Sequence, residues 1–206
     1  MGNRWNEFVY KLWSPVYDRV FNSGKFLQVR KKIFQGNNFN ENQNILFVGV
    51  GTGAELEQLN HTELNITAID YTNEMLEKAK FKFKSSSIKF LKMDAQDMSF
   101  QDNHFDVVVG SLVLSVVPDV DKCIKEMVRV LKPNGEIIIF DKFAPEDKEL
   151  SPVKKAVRPL IKLLGTDIGL NFGKMYEQNK ETLSIKEDTP LMFNGMYRKI
   201  VMSKTS

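Results

Sequence analysis

Cysteine and histidine are scarce in this sequence: Cys123 stands alone, and the histidines are His61 and His104. A lone thiol cannot close an intrachain disulfide, and without a CxxC partner it lacks the spacing of a metal ligand set. On its helical pattern, Cys123 reads as a small buried hydrophobe, which suits a reducing compartment. The histidines fall in expected loops and read as surface residues. Long hydrophobic runs are also missing. The charge-free stretch Val107 to Pro118 falls well short of the roughly 18 to 20 residues that a spanning helix needs. The start, MGNRWNEFVYKLW, carries an acid and no small-residue cleavage site, and Asn6 stands where myristoylation wants Ser or Thr. Fixed-period repeats and low-complexity tracts are absent too, which excludes solenoids and compositional tails. These absences leave a cytoplasmic globular protein, and 206 residues suffice for one ordinary domain with N-terminal elaboration.

What is present is charge, spread unevenly. The net charge is +3, yet residues 1–35 hold seven basic residues against Glu7 and Asp18, a local +5. A second basic group, Lys154, Lys155, Arg158 and Lys162, is spaced so that most of it shares one side of a helix. Two readings stand side by side: solvated faces, or contact with an acidic surface such as anionic lipid.

From residue 45 short apolar runs alternate with helical segments, the pattern of βαβ units around a parallel sheet. Strands are expected at Ile45–Val48, Ile66–Ile69, Ile88–Lys92, Phe105–Val109 and Glu136–Asp141, with helices near Ala54–Leu59, Asn73–Lys84 and Asp121–Leu131. Pro133-Asn134-Gly135 should end the last helix, since proline cannot continue it and Asn or Gly accepts the left-handed cap. A helical stretch over Pro152 to Leu164 precedes two late β-like runs, Thr182–Ile185 and Met192–Met202, the second containing Asn194-Gly195. Ahead of the core, Trp5, Phe8, Val9, Leu12 and Trp13 share a helical stripe, and Ser14-Pro15 stops that helix and starts another. These two helices read either as a packed cap or as a membrane-surface element.

The segment ILFVGVGTGAEL, residues 45–56, satisfies the dinucleotide pattern G-x-G-x-x-G/A with Ala54 in the last place, so by itself it also fits a nicotinamide oxidoreductase. Asp70 follows 19 positions after Gly51 at the end of the next strand, where a carboxylate can bridge ribose hydroxyls. Loop and acid together say adenosine ribose, not which cofactor. The third strand then ends in Met93-Asp94-Ala95, whose carboxylate and backbone N–H suit an adenine edge; the fourth ends at Gly110-Ser111; and LKPNGEIIIFDKF gives a helix end, a turn and a fifth strand.

Taken in this order, residues 45 to 143 resemble the class I S-adenosylmethionine-dependent methyltransferases. Beyond the core, YKLWSPVYDRVF, LSVVPD, RPLIKLLG and NGMYRKIVMSK resemble bacterial phosphatidylethanolamine N-methyltransferases, themselves similar to the ubiquinone/menaquinone biosynthesis methyltransferases. The resemblance implies an α/β fold: a Rossmann-like, seven-stranded, mostly parallel sheet with helices on both faces and an antiparallel C-terminal edge hairpin. An N-terminal helical cap (1–40) would sit ahead of a cofactor-binding core (41–206). It implies S-adenosyl-L-methionine as cofactor, S-adenosyl-L-homocysteine as product, and no metal. The implied cofactor contacts are Tyr17, Gly49, Gly51, Thr52, Gly53, Asp70, Tyr71, Met75, Asp94, Ala95 and Ser111.

Two positions depart from the family pattern. Phe47 stands where an acid commonly helps to hold the cofactor's methionine end, leaving Tyr17 to reach it, and Asn134 replaces the first glycine of LKPGG. Tyr10, Trp13 and Tyr17 are candidates for an acceptor pocket, since aromatic rings hold a methylated ammonium by cation–π attraction. The implied acceptor is a phosphatidylethanolamine-type lipid, with peripheral contact to an anionic membrane at its inner face. A soluble or quinone-like small molecule is the alternative, and a nicotinamide oxidoreductase or a non-catalytic cofactor-binding protein lies further off. Nucleic acid is not expected, because Ser111-Leu112-Val113-Leu114 replaces the Asn/Asp-Pro-Pro-aromatic run of the base-amino methylating enzymes.

Overall fold

The structure is a computed structural model, and it describes residues 24–37, 39–144, 166–167 and 169–205. The aromatic stripe at Trp5–Trp13 and the Pro152–Leu164 segment therefore lie outside the described residues. Four helices are described: α1 (Gly24–Ile33), α2 (Asn73–Lys82), α3 (Val120–Val130) and α4 (Phe172–Glu177). Seven strands, β1 (Asn44–Val48), β2 (Asn65–Asp70), β3 (Lys89–Lys92), β4 (Phe105–Ser111), β5 (Leu131–Lys142), β6 (Leu183–Met192) and β7 (Tyr197–Lys204), form one sheet in the order β3-β2-β1-β4-β5-β7-β6. The first five pair in parallel, while β7 pairs antiparallel with both β5 and β6.

Alternation along the central strands divides the core in two. Leu46 and Val48 of β1 join Cys123, Ile124 and Met127 of α3 and Phe172 and Met175 of α4 on one face. Ile45 and Phe47 join Val29 and Ile33 of α1 and Leu76 of α2 on the other. Both faces of β1 are covered, which is why ILFV reads as an unbroken apolar run rather than an alternating one. In α3 the buried residues Cys123, Ile124, Met127 and Val130 fall at helical spacing, and the Asp119 side chain caps the helix by accepting from the Lys122 N–H.

The expected helix at Ala54–Leu59 is corrected by the structure: only a short 3-10 turn, Leu56–Gln58, forms there. Gln58 N–H donates to the Glu55 carbonyl and Leu59 N–H to that of Leu56, three residues back, while Glu57 N–H reaches the Gly53 carbonyl. So few residues between the left-handed Gly53 and the loop at Asn60 cannot repay the cost of nucleating a longer helix. Asn194-Gly195 is likewise not inside a strand. With Phe193, Asn194 and Gly195 all at positive φ, it forms the tip of the β6–β7 hairpin, as residues tolerant of that conformation should. The cap expected at Pro133-Asn134-Gly135 is corrected: α3 ends at Val130 with Leu131 already extended, and Asn134, at φ 61°, sits in a bulge of β5 over residues 132–135, before pairing resumes at Glu136 opposite Val107.

Arg129, near the end of α3, ties that helix to the β3–β4 connection. Its guanidinium donates to Glu126 at 2.7 and 2.8 Å, to Asp102 at 2.7 Å and to the carbonyls of Met98 and Phe100 at 2.7 Å. The guanidinium holds the Glu126 carboxyl below its ordinary range. A carboxylate so depressed contributes stability that is present above its unfolded pKa and is lost as pH falls through the folded one. Arg129→Met is therefore expected to destabilise the protein by about 2 kcal/mol at neutral pH. That deficit should shrink as pH falls through the carboxylate range, as measured by urea unfolding at a series of pH values.

Candidate active site

The sheet order reverses between β1 and β4, and in open α/β sheets a crevice forms outside the carboxyl ends of strands at such a point. A cavity open to solvent lies there. The carboxyl ends of the first four strands supply its rim: Gly49 and Gly51 after β1, Ile69 and Asp70 at β2, Met93, Asp94 and Ala95 after β3, and Ser111 at β4. Tyr71 and Met75 also line it. Eight of the eleven residues expected at the cofactor thus meet around one cavity: Gly49, Gly51, Asp70, Tyr71, Met75, Asp94, Ala95 and Ser111.

Thr52 and Gly53 do not line it. Thr52 is buried, and Gly53 packs on α2, where an added Cβ would stand 2.7 Å from the Phe83 ring. Gly53 closes the turn, its N–H donating to the Val50 carbonyl at 2.9 Å. Tyr10, Trp13 and Tyr17 lie outside the described residues.

Asp70 is tied to the loop more firmly than its position in the sequence suggests. One carboxylate oxygen accepts from the Gly51 N–H and the other from the Thr72 N–H, both at 2.8 Å. Burial pushes its carboxyl pKa upward, against the opposing effect of these N–H donors. Asp94 is held by Gln96, whose backbone and side-chain N–H groups both donate to it at 2.9 Å. Gln96 in turn accepts from the Asp119 N–H at 2.8 Å, linking the β3 end to the start of α3. Over Tyr71, the Lys92 ammonium lies 5.8 Å from the ring centroid.

One wall of the cavity was not singled out among the sequence candidates. Leu112, Val113, Val116, Val117 and Pro118, between β4 and α3, close it with apolar surface. Leu112 takes φ 53°, a left-handed conformation unusual for leucine, and its N–H donates to the Phe140 carbonyl at 2.7 Å. The signal available was the long charge-free run through Val107 to Pro118, too long for β4 alone. Phe47, at the departure from the family pattern, is buried on the α1 face with its ring 6.2 Å from that of Phe34; its alternation along β1 points it into the core. His61 packs edge-on against Phe83, and His104 is exposed beside Phe105 at the opposite strand ends. Among the described residues no cluster of three or more His, Cys, Asp or Glu has the makings of a metal site.

Residues 46–139 match the family described as Methyltransferase domain. Over 192 residues the chain is 31% identical to phosphatidylethanolamine N-methyltransferase of Cereibacter sphaeroides, covering 91% of this chain and 92% of that one. The chain belongs to the S-adenosylmethionine-dependent methyltransferases. It is also 31% identical over 194 residues to demethylmenaquinone methyltransferase of Staphylococcus aureus (strain MRSA252), covering 91% of this methyltransferase and 78% of that one. Among solved structures, a chain in the complex of the Haloferax volcanii Trm112 methyltransferase activator with a methyltransferase superposes with a TM-score of 0.79 at 15% identity, covering 97% of each. The cyclase SpnF superposes with a TM-score of 0.74 at 15% identity, covering 95% of this chain and 93% of that one. These two likenesses show the fold alone, and a cyclase on it is a reminder that fold does not fix the reaction.

The cavity of this methyltransferase fits the cofactor of its family. Among the described residues no atom lies within 4 Å of where a Cβ on Gly51 would stand, so the loop leaves open space on the cavity's floor. Two half-buried carboxylates, Asp70 and Asp94, stand on adjacent strand ends, and Ile69, Met75 and Met93 line the same cavity.

Proposed function

We propose that this methyltransferase N-methylates phosphatidylethanolamine-type lipid headgroups at an anionic membrane face. The observation that carries the acceptor is the end-to-end match with phosphatidylethanolamine N-methyltransferase, which spans 92% of that enzyme, where the match to demethylmenaquinone methyltransferase spans 78%. The basic excess over residues 1–35 supports it, because lysine and arginine beside an apolar stripe suit an anionic bilayer. Among the described residues no helix is long and apolar enough to cross a membrane, so contact would be peripheral. A quinone-like acceptor is the second reading, favoured by equal identity to demethylmenaquinone methyltransferase and by the apolar wall at residues 112–118.

Bound S-adenosylmethionine would supply an electrophilic methyl on a sulfonium. The chain's own part is alignment and exclusion of water. Asp70 would accept from the ribose hydroxyls while holding the glycine loop through the Gly51 N–H. Asp94 and the Ala95 N–H would frame the adenine. Gly49 and Gly51 would let backbone approach the methionine tail, and the apolar wall from Leu112 to Pro118 would keep bulk water from the reacting centre. Tyr10, Trp13 and Tyr17 would shape the acceptor side.

Because burial raises the Asp70 carboxyl, S-adenosylhomocysteine affinity should fall at acid pH with a midpoint above the ordinary aspartate value of about 3.9. Protonation costs the carboxylate acceptor capacity, so affinity is retained above that midpoint and lost below it. Asp70→Asn should bind weakly without this acid limb, as followed by calorimetric titration across pH.

The test of the acceptor is transfer of radiolabel from S-adenosylmethionine to a total lipid extract, followed by separation of lipid classes. Label in mono- or dimethylated ethanolamine lipid is expected. Label confined to a quinone fraction, or absent from every lipid, would overturn the proposal.

A further inference from the structure

Beside the cavity, a buried polar chain ends on Ser111, and its other two members, Arg30 and Glu55, have no part in the cofactor contacts read from the sequence. Arg30 of α1 is 2% exposed and Glu55, just past the glycine loop, is 4% exposed. The two form an ion pair, and the same Glu55 oxygen accepts from the Ser111 hydroxyl at 2.5 Å. Two charges taken out of water are costly, and apolar residues of similar shape commonly pack there as well or better. The third member of this chain, Ser111, lines the cavity.

The direction of that hydrogen bond decides what Ser111 can do. A hydroxyl has one proton to give and two lone pairs to accept with, while a carboxylate paired with a guanidinium offers only acceptors. Ser111 therefore donates its hydroxyl hydrogen bond to Glu55, and Arg30 holds Glu55 so that the O–H stays directed at it. What remains for a ligand is the oxygen of Ser111 as an acceptor. A ligand carbonyl or carboxylate would meet lone pairs; an amine or ammonium would meet a partner.

We propose that Ser111 is the acceptor for an amine nitrogen in the cavity, with Arg30 and Glu55 as positioning residues that lock its hydroxyl in the accepting sense. This rests on the cofactor reading above. Two nitrogens share the required chemistry: the amino group at the methionine end of the cofactor and the amine of the methyl acceptor.

Calorimetric titration of the full chain separates them, using S-adenosylhomocysteine, its decarboxylated analogue that keeps the amine, and 5′-methylthioadenosine that lacks the whole amino acid end. If the cofactor amine is the partner, Ser111→Ala weakens the first two ligands about tenfold and leaves the third within about twofold. The double variant Arg30→Met with Glu55→Leu replaces the ion pair by apolar groups, leaves Ser111 in place and keeps the buried site packed. It should weaken the same two ligands several-fold, because the freed hydroxyl no longer presents its oxygen alone. If the acceptor amine is the partner, all three affinities hold. The KM for ethanolamine lipid then rises about tenfold in both variants with kcat little changed.

Equal weakening of all three ligands, or no change in affinity or KM in either variant, would overturn the inference while leaving the cofactor reading intact. Failure of the unaltered protein to bind S-adenosylhomocysteine would overturn both.

Discussion

Asp70→Ala is expected to raise the Kd for S-adenosylhomocysteine by about two to three orders of magnitude, because the carboxylate serves two structures at once. In the protein it accepts from the Gly51 and Thr72 N–H groups at 2.8 Å, which fixes the floor of the cavity. Toward the cofactor it would accept from ribose hydroxyls. Hydrogen bonds to a charged group contribute about 1.5 to 3 kcal/mol each, so losing two of them accounts for the expected range. Asp70→Asn keeps the shape but exchanges one acceptor for a donor, which faces an N–H group or a hydroxyl with the wrong polarity. Equilibrium dialysis with labelled cofactor measures both variants, and a loss below about tenfold for the alanine variant would mean that Asp70 acts on the loop alone.

Alanine at Gly51 and at Gly53 should fail in opposite ways although the two glycines are near neighbours. Both sit at positive φ, 55° and 82°, which costs an L-residue roughly 1 to 2 kcal/mol. At Gly53 the new Cβ also meets Phe83 at 2.7 Å. That ring lies between His61 at 5.6 Å and Phe90 at 6.3 Å and has little room to yield. Overpacking then adds about 1 to 3 kcal/mol. Gly51→Ala meets no described atom within 4 Å, so its stability cost is the backbone strain alone, but the methyl occupies space beside the cavity. The expected result is a larger urea-unfolding deficit for Gly53→Ala and a larger loss of S-adenosylhomocysteine affinity for Gly51→Ala. Equal stability deficits would contradict the packing described for the loop.

The sheet was legible because burial on both faces writes β1, β2 and β4 as apolar runs, and because carboxylates at the ends of β2 and β3 follow the glycine loop in a fixed order. Helix α3 was legible from its periodicity, whereas its end was not: the chain turns extended at Leu131, ahead of Pro133-Asn134-Gly135. The segment after the glycine loop was not: Ala54, Glu55 and Leu56 carry a helical pattern, yet all three are buried around a turn too short to propagate. The ion pair of Arg30 with Glu55 was illegible for a different reason. Neither neighbourhood in the sequence shows that α1 crosses to the loop, and Arg30 read there as one of a run of basic residues, which are usually solvated. The apolar wall at residues 112–118 depends on the left-handed turn at Leu112, a conformation that no leucine announces. Phe47, read from the sequence as a departure, faces the α1 side of the core, where its ring packs near Phe34 and an unpaired acid would be costly.

The most direct test of the account is isothermal titration of the unaltered chain with S-adenosylhomocysteine and, separately, with NADH. The methyltransferase reading of the cavity at Gly51, Asp70 and Asp94 predicts saturable one-to-one binding of S-adenosylhomocysteine and none of NADH. Tight binding of NADH, or no heat from S-adenosylhomocysteine, would contradict it.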